Sequence, residues 1–310
     1  MSRMHGIVNC WSVYGEQRMD KKRIWEGIRP YVLIAPAMTG ILLFVMYPVG
    51  YLMYLSLFKY NLMNKDKSRF VGLDNFTQIL SRGDFYKALW NTSLYTVGVV
   101  VLTMMLSLLI AVWLNKKGRF NQVVQAGIFT PHVVSIVSIS LVWLWLMEPN
   151  QGMLNYILKL LGLPPSAWLQ SSKTALLSVI IVSVWQAIGY YTLIIVAALQ
   201  SISPSIYEAA ALDNASKFKV FFKITLPMIS PQLFFILIIM TIGSFKVFDT
   251  VQVMTGGGPN NATTTLVYYI YGFRTTNIGY SAATGVVLMA IIGLLTFVYF
   301  RLLSRKVHYQ

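Results

Sequence analysis

Two ionisable side chains, Lys246 and Asp249, sit within a long apolar run in the stretch GSFKVFDTVQ. Three positions apart on a continuous helix, they share a face and could form an ion pair. A charge near the middle of a bilayer costs about 2.5–3.5 kcal/mol on insertion scales, so such groups face a partner or a watery cavity. A self-paired structural couple and the polar lining of a solute path both satisfy that requirement. A second group, Trp185, Gln186, Tyr190 and Tyr191 in WQAIGYY, interrupts an aliphatic run away from the interfaces where aromatic belts sit. Rings there can stack on a sugar face while the Gln186 amide offers both a donor and an acceptor. Plain helix–helix packing is the alternative use of those rings.

Reaction chemistry is absent from the motifs. No GxxxxGK[ST] cradle for phosphates occurs, so the chain is not expected to hydrolyse ATP by itself, and GxGxxG, HExxH and GxSxG are also missing. His5, His132 and His308 are far apart, and the single Cys10 leaves no thiol pair for a disulfide or a zinc site. No catalytic residue, resident metal or bound cofactor is expected. An intramembrane enzyme is disfavoured because no nucleophile–base or metal-ligand set lies in the apolar runs.

The elements that must position these residues follow from composition. Of 310 residues, 56% are hydrophobic and 11% charged, with a mean hydropathy of +0.62, which points to lipid as the solvent. Six runs are long enough to cross a hydrocarbon core about 30 Å thick, at about 20 residues per helix. They are Tyr31–Phe58, Asn91–Leu114, Val123–Met147, Thr174–Leu199, Gln232–Met254 and Ser281–Phe300. None has the short alternating strands of an outer-membrane barrel, so the fold class is an all-α integral membrane protein. Residues 1–30 read as an N-terminal segment without a cleavable signal, 31–300 as the six-helix domain and 301–310 as a tail.

The formal charge is +15, yet the basic residues lie mostly between the runs, which points to membrane topology rather than nucleic acid. Lys and Arg are in excess on the side that holds both termini, and this predicts cytoplasmic termini in a cell membrane. Pro36, Pro48, Pro131, Gly189 and Gly243 punctuate the runs. Close packing with gentle kinks is one reading of them, and tilting during alternating access is the other.

The longest ordered polar segment, within 200–231, reads SISPSIYEAAALDNASKFKVFFKITLPMISP. Ser203 followed by Pro204 predicts a helix start, and Ser205 with Glu208 forms a capping-box pattern. Asn214 tolerates a left-handed backbone and predicts a stop, after which Ser216 can cap a second helix. Phe218, Phe221 and Phe222 share one face of that helix and Lys219 and Lys223 another, until Pro227 and Pro231 break the chain. As chemistry this is either an interfacial connector touching anionic lipid or a rigid knob shaped for a partner's groove.

This segment resembles the signature loop of ABC-importer permeases, EAA…DGA…F…I.LP…P. Glu208, Ala209, Ala210, Asp213, Ala215, Ile224, Leu226, Pro227 and Pro231 match it, while Asn214 stands where the family usually has glycine. FVGLDNF (Phe70–Phe76) and TGGGP (Thr255–Pro259) resemble hallmarks of the carbohydrate-importing members of the maltose and multiple-sugar type. By its residues alone, TGGGPNNAT is only a flexible turn. The short Glu148–Lys173 segment makes the chain similar to the compact six-span members.

The resemblance implies a type I ABC-importer permease fold in which the loop docks as a coupling helix on an ATPase subunit. It further implies a second homologous permease, two ATPases that use ATP and Mg, an extracytoplasmic solute-binding protein and a sugar-like substrate. A self-sufficient ion-coupled transporter using Lys246 and Asp249 is the alternative.

Overall fold

The computed structural model describes residues 27–60, 68–116 and 118–303, and most of them are helical. Contacts divide the chain into Met1–Tyr54 and Leu55–Gln310. The described part of the first unit belongs to α1 (Gly27–Ser56), which carries a π-helical turn at Leu42–Met46. Pro48 lies just past this turn; a proline lacks the N–H that would continue the ladder, and one widened turn absorbs the mismatch.

In the second unit a two-residue ribbon pairs β1 (Phe58–Lys59) with β2 (Arg69–Phe70), and α2 (Asp74–Ser81) follows. The buried Asn75 of FVGLDNF donates to the carbonyls of Ser56 (2.7 Å) and Phe58 (3.0 Å), tying α2 to the strand. Next come α3 (Gly83–Leu114), α4 (Arg119–Val133), α5 (Ile136–Leu146) and α6 (Met153–Leu160). They lead into α7 (Ala175–Gln200), α8 (Pro204–Leu212), α9 (Lys217–Met228) and α10 (Ser230–Phe245). The chain closes with α11 (Asp249–Met254), α12 (Leu266–Gly272) and α13 (Ile278–Leu303).

Four of the expected spans are single helices, α1, α3, α7 and α13; Val123–Met147 is a bent pair, α4 with α5 at 96°, and Gln232–Met254 is divided between α10 and α11, with α9 meeting α10 at 64° just ahead of it. The first bend follows from Pro131 in the last turn of α4, after which Val134 and Ser135 turn extended (ψ 144° and 130°). At the second bend the expectation for Pro227 is corrected. Pro227 stays helical behind a π turn at Phe221–Thr225, and the chain turns instead at Ile229 (φ −89°, ψ 2°), with Pro231 opening α10. A proline in the first turn of a helix has no intrahelical partner to lose.

Helices α3 and α7 form the centre. Without water to drive apolar faces together, membrane helices associate through small residues and interhelical hydrogen bonds. Gly98 lets Ile180 approach, Tyr95 donates to Ser183 (2.8 Å) and Ser107 to the Ile188 carbonyl (3.0 Å). Gly189 is a packing residue: a Cβ there would lie 1.8 Å from the Ile128 carbonyl oxygen, where α4 crosses α7. Gly243, by contrast, faces open space.

The segment TGGGPNNAT is a pinned loop rather than a flexible turn. Asn91 donates to the carbonyls of Asn261 (2.9 Å) and Thr264 (3.0 Å), Lys87 to that of Asn260 (2.7 Å), and Thr255 pairs with Thr263 (2.7 Å). Gly256 and Gly257 supply the left-handed backbone (φ +55° and +81°) that folds it back. The partners are over 160 residues away in sequence, which is why local composition reads only as loose.

Candidate functional site

The apolar run expected to be one helix from Gln232 to Met254 is interrupted. Helix α10 ends at Phe245 and α11 begins at Asp249, with Phe248 between them at φ −140°, ψ −59°. The ladder carbonyl freed at Val247 accepts a hydrogen bond from Thr265 Oγ1 (3.2 Å). Lys246 thus lies at the carboxyl end of α10, where unpaired carbonyls favour a cation. Asp249 lies in the first turn of α11, where free N–H groups favour an anion.

Of the two readings of Lys246 and Asp249, the self-paired couple is not formed. Among the described residues no salt bridge joins Lys246 to Asp249, because three-residue spacing brings side chains together only on an unbroken helix. Instead, both line a cavity of about 240 Å³, together with Gln186 and Tyr191 of α7. Four of the six residues singled out from the sequence therefore share one cavity. Trp185 and Tyr190 do not line it: Trp185 packs edge-on against Trp143 (5.4 Å), and Tyr190 stacks on His132 (4.4 Å, 11°). Tyr190 also meets Tyr191 edge-on at 5.1 Å and so buttresses one wall.

Sequence reasoning missed Tyr95 and Ser183, which line the same cavity. The Tyr95 hydroxyl donates to Ser183 Oγ, and the Ser183 hydroxyl in turn donates to the Val179 carbonyl (2.9 Å). One signal was available: Asn91, Thr92, Tyr95 and Thr96 recur at helical spacing in an apolar run, a polar stripe. The arrangement can offer a solute a cation, a carboxylate, an amide and hydroxyls. No group of three or more metal-ligating side chains occurs among the described residues.

The second region is the elbow formed by α8 and α9. Ser203 precedes the helix and Pro204 opens it, as expected, but no side chain caps that end. Ser203 Oγ lies 2.8 Å from Ser205 Oγ, so the expected capping box with Glu208 is not formed. The stop is sharper than its sequence suggests. Asn214 takes φ +51°, its N–H donates to the Ala211 carbonyl (3.1 Å), and the Ala215 N–H donates to that of Ala210 (3.0 Å). That pair of bonds is a Schellman turn. Ser216 then caps α9, accepting from the Lys219 N–H at 3.3 Å.

Glu208, Ala209, Asp213 and Asn214 are exposed, and Ala210 is buried against the chain itself. Ala215, Ile224, Leu226, Pro227 and Pro231 are half-buried. Leu212, which sequence reasoning passed over, is 86% exposed beside Asp213. A leucine this bare beside Asp213 reads as a contact residue only once α8 is seen to be packed against the chain through Ala210.

The chain resembles known transport proteins in sequence and in fold. The family model described as binding-protein-dependent transport system inner membrane component matches residues 103–309. The chain is 36% identical over 290 residues to the sn-glycerol-3-phosphate transport system permease protein UgpA of Escherichia coli, covering 91% of this chain and 96% of that protein. The protein of that name from Pectobacterium atrosepticum is 35% identical over the same lengths. Among solved structures, a chain of the bacterial alginate ABC transporter in complex with alginate pentasaccharide-bound periplasmic protein superposes with a TM-score of 0.79. It is 23% identical in sequence, with 91% of this chain and 98% of that one covered.

Proposed function

Because this chain belongs to the family of binding-protein-dependent transport system inner membrane components, we propose that it forms one of two permease halves of an importer for a sugar or sugar-like solute. It is a multi-pass membrane permease subunit and a transport component rather than an enzyme. In this proposal a second, homologous permease completes the path, and an extracytoplasmic binding protein delivers the solute. Two ATPase subunits, which bind the ATP and Mg that this chain does not, drive the cycle. Both termini lie in the cytoplasm, on the side with the excess of Lys and Arg.

The observation that carries the solute path is the convergence of Gln186, Tyr191, Lys246 and Asp249 on one cavity at the break between α10 and α11. Charged groups at membrane depth line watery paths, and sugar hydroxyls pair well with carboxylate, ammonium and amide together. The relatives named for glycerol 3-phosphate and the fold shared with an alginate transporter support a polyhydroxylated solute. Elbow residues Glu208 to Pro231 transmit closure of the ATPases. The exposed Glu208, Leu212 and Asp213 enter the ATPase cleft, and the Schellman turn holds α8 rigid.

The test is reconstitution of the chain with its second permease, ATPases and binding protein in vesicles, followed by ATP-dependent uptake of glycerol phosphate, an acidic oligosaccharide and neutral disaccharides. Uptake that needs all components and is specific for one of these solutes is expected. Transport by this chain alone in ATP-free vesicles would overturn the reading in favour of an ion-coupled carrier.

A further inference from the structure

We propose that the inner side of the elbow is a binding site for an anionic, hydroxyl-bearing phospholipid of the phosphatidylglycerol type. A cavity of about 480 Å³ lies there, between the elbow and the ends of α3 and α7. Its volume is within the roughly 300–1,000 Å³ of small-ligand pockets. Val112, Leu199, Val220 and Phe221 make its walls apolar. Tyr207 and Thr225, which also border it, are spent on one another at 3.3 Å.

Two polar groups on the lining remain uncommitted. Asn115 Oδ1 is buried and has no hydrogen-bond partner among the described residues. Leaving a buried acceptor unpaired is costly, so a ligand hydroxyl donating to it would be stabilised there. Lys217, exposed on the same lining, has no acidic partner among the described residues. Lys116, Arg119 and Lys219 lie close to them in sequence and add positive charge.

The position selects the ligand. Asn115 directly follows the last residue of α3 and Leu199 is the penultimate residue of α7, so the cavity opens where two spans leave the bilayer. The abundant apolar molecule at that level is a lipid chain. A cation at the mouth favours an anionic headgroup, since basic residues near a membrane surface attract anionic lipids. The bare Asn115 oxygen favours glycerol hydroxyls over a methylated choline, which has no hydroxyl or N–H to donate. A lipid seated here braces the elbow from behind and leaves the exposed side of α8 free. The site is read on this chain alone, so it stands or falls separately from the docking proposed for α8.

The experiment is native mass spectrometry of the purified full chain titrated with phosphatidylglycerol and, separately, with phosphatidylcholine. Wild type is expected to retain phosphatidylglycerol preferentially. Removing one interfacial charge with Lys217→Gln is expected to weaken that binding about fivefold. Val220→Phe fills the cavity and should abolish binding, while Lys223→Gln, away from the lining, should leave it unchanged. Equal retention of both lipids, or wild-type binding by Lys217→Gln, overturns the proposal. So does glycerol phosphate binding as tightly as the lipid, which would assign the site to a soluble anion.

Discussion

The Ala215 N–H donates to the Ala210 carbonyl at 3.0 Å, so the end of α8 is closed by a turn that requires Asn214 to stay left-handed at φ +51°. A left-handed backbone costs about 1–2 kcal/mol for an ordinary residue and nothing comparable for glycine. Asn214→Gly should therefore match wild type in thermal unfolding and in ATPase co-purification. Asn214→Val should lose about 2 kcal/mol, because branching at Cβ adds to the strain. Equal melting of the two variants would mean that the turn rearranges freely.

Docking and packing can be separated within α8. Ala210 is 6% exposed, so Ala210→Trp overpacks the interior and lowers stability, whereas Glu208 and Leu212 point outward. Glu208→Lys and Leu212→Asp should leave insertion and melting unchanged while each costs on the order of 2 kcal/mol of ATPase binding, as an interface anchor does. Full ATPase co-purification with both variants would reduce the elbow to a connector.

In the cavity, Lys246→Gln and Asp249→Asn should each lower uptake about 10- to 100-fold, the worth of a hydrogen bond to a charged group. Tyr95→Phe removes only a hydroxyl already bonded to Ser183 and should cost less. Wild-type uptake by both charge variants would remove this cavity from the path.

Gly189 and Gly127 form a contrasting pair. Any Cβ at Gly189 meets the Ile128 carbonyl, so Gly189→Ala should sharply reduce the yield of folded protein by forcing α4 away from α7. Gly127 has nothing within 4 Å, and Gly127→Ala should stabilise α4 by about 0.5–1 kcal/mol. Thermal unfolding in detergent distinguishes the two, and similar melting would contradict the close crossing.

Glu148 carries a pH dependence. The N–H of Gln151, then the backbone and side-chain N–H groups of Asn150 and the N–H of Gly152, hold its carboxyl below the usual carboxylate range. A depressed folded-state value means that the contribution is present above the unfolded value and is lost as pH falls through the folded one. Acid titration of loop order should show this loss in wild type, and Glu148→Gln should remove it. An identical acid profile in the variant would argue against the carboxylate bonds.

Much of this protein was legible in its residues because the strongest constraint on it is one-dimensional. A bilayer demands about 20 apolar residues per crossing, so the six spans, the helical class and the polar elbow all follow from local runs, and the turn at Asn214 follows from backbone sterics. Only the tertiary structure could decide the rest. The break at Val247 is supported by Thr265, the order of TGGGPNNAT by Asn91 and Lys87, and the close crossing at Gly189 by the backbone of α4. Each depends on a group distant in sequence that satisfies, or collides with, a local feature which is neutral by itself. The same holds for Lys246 and Asp249. Their spacing announces a pair on any continuous helix, and it is the interrupted ladder, held open from another segment, that sets them apart at opposite helix ends around a cavity.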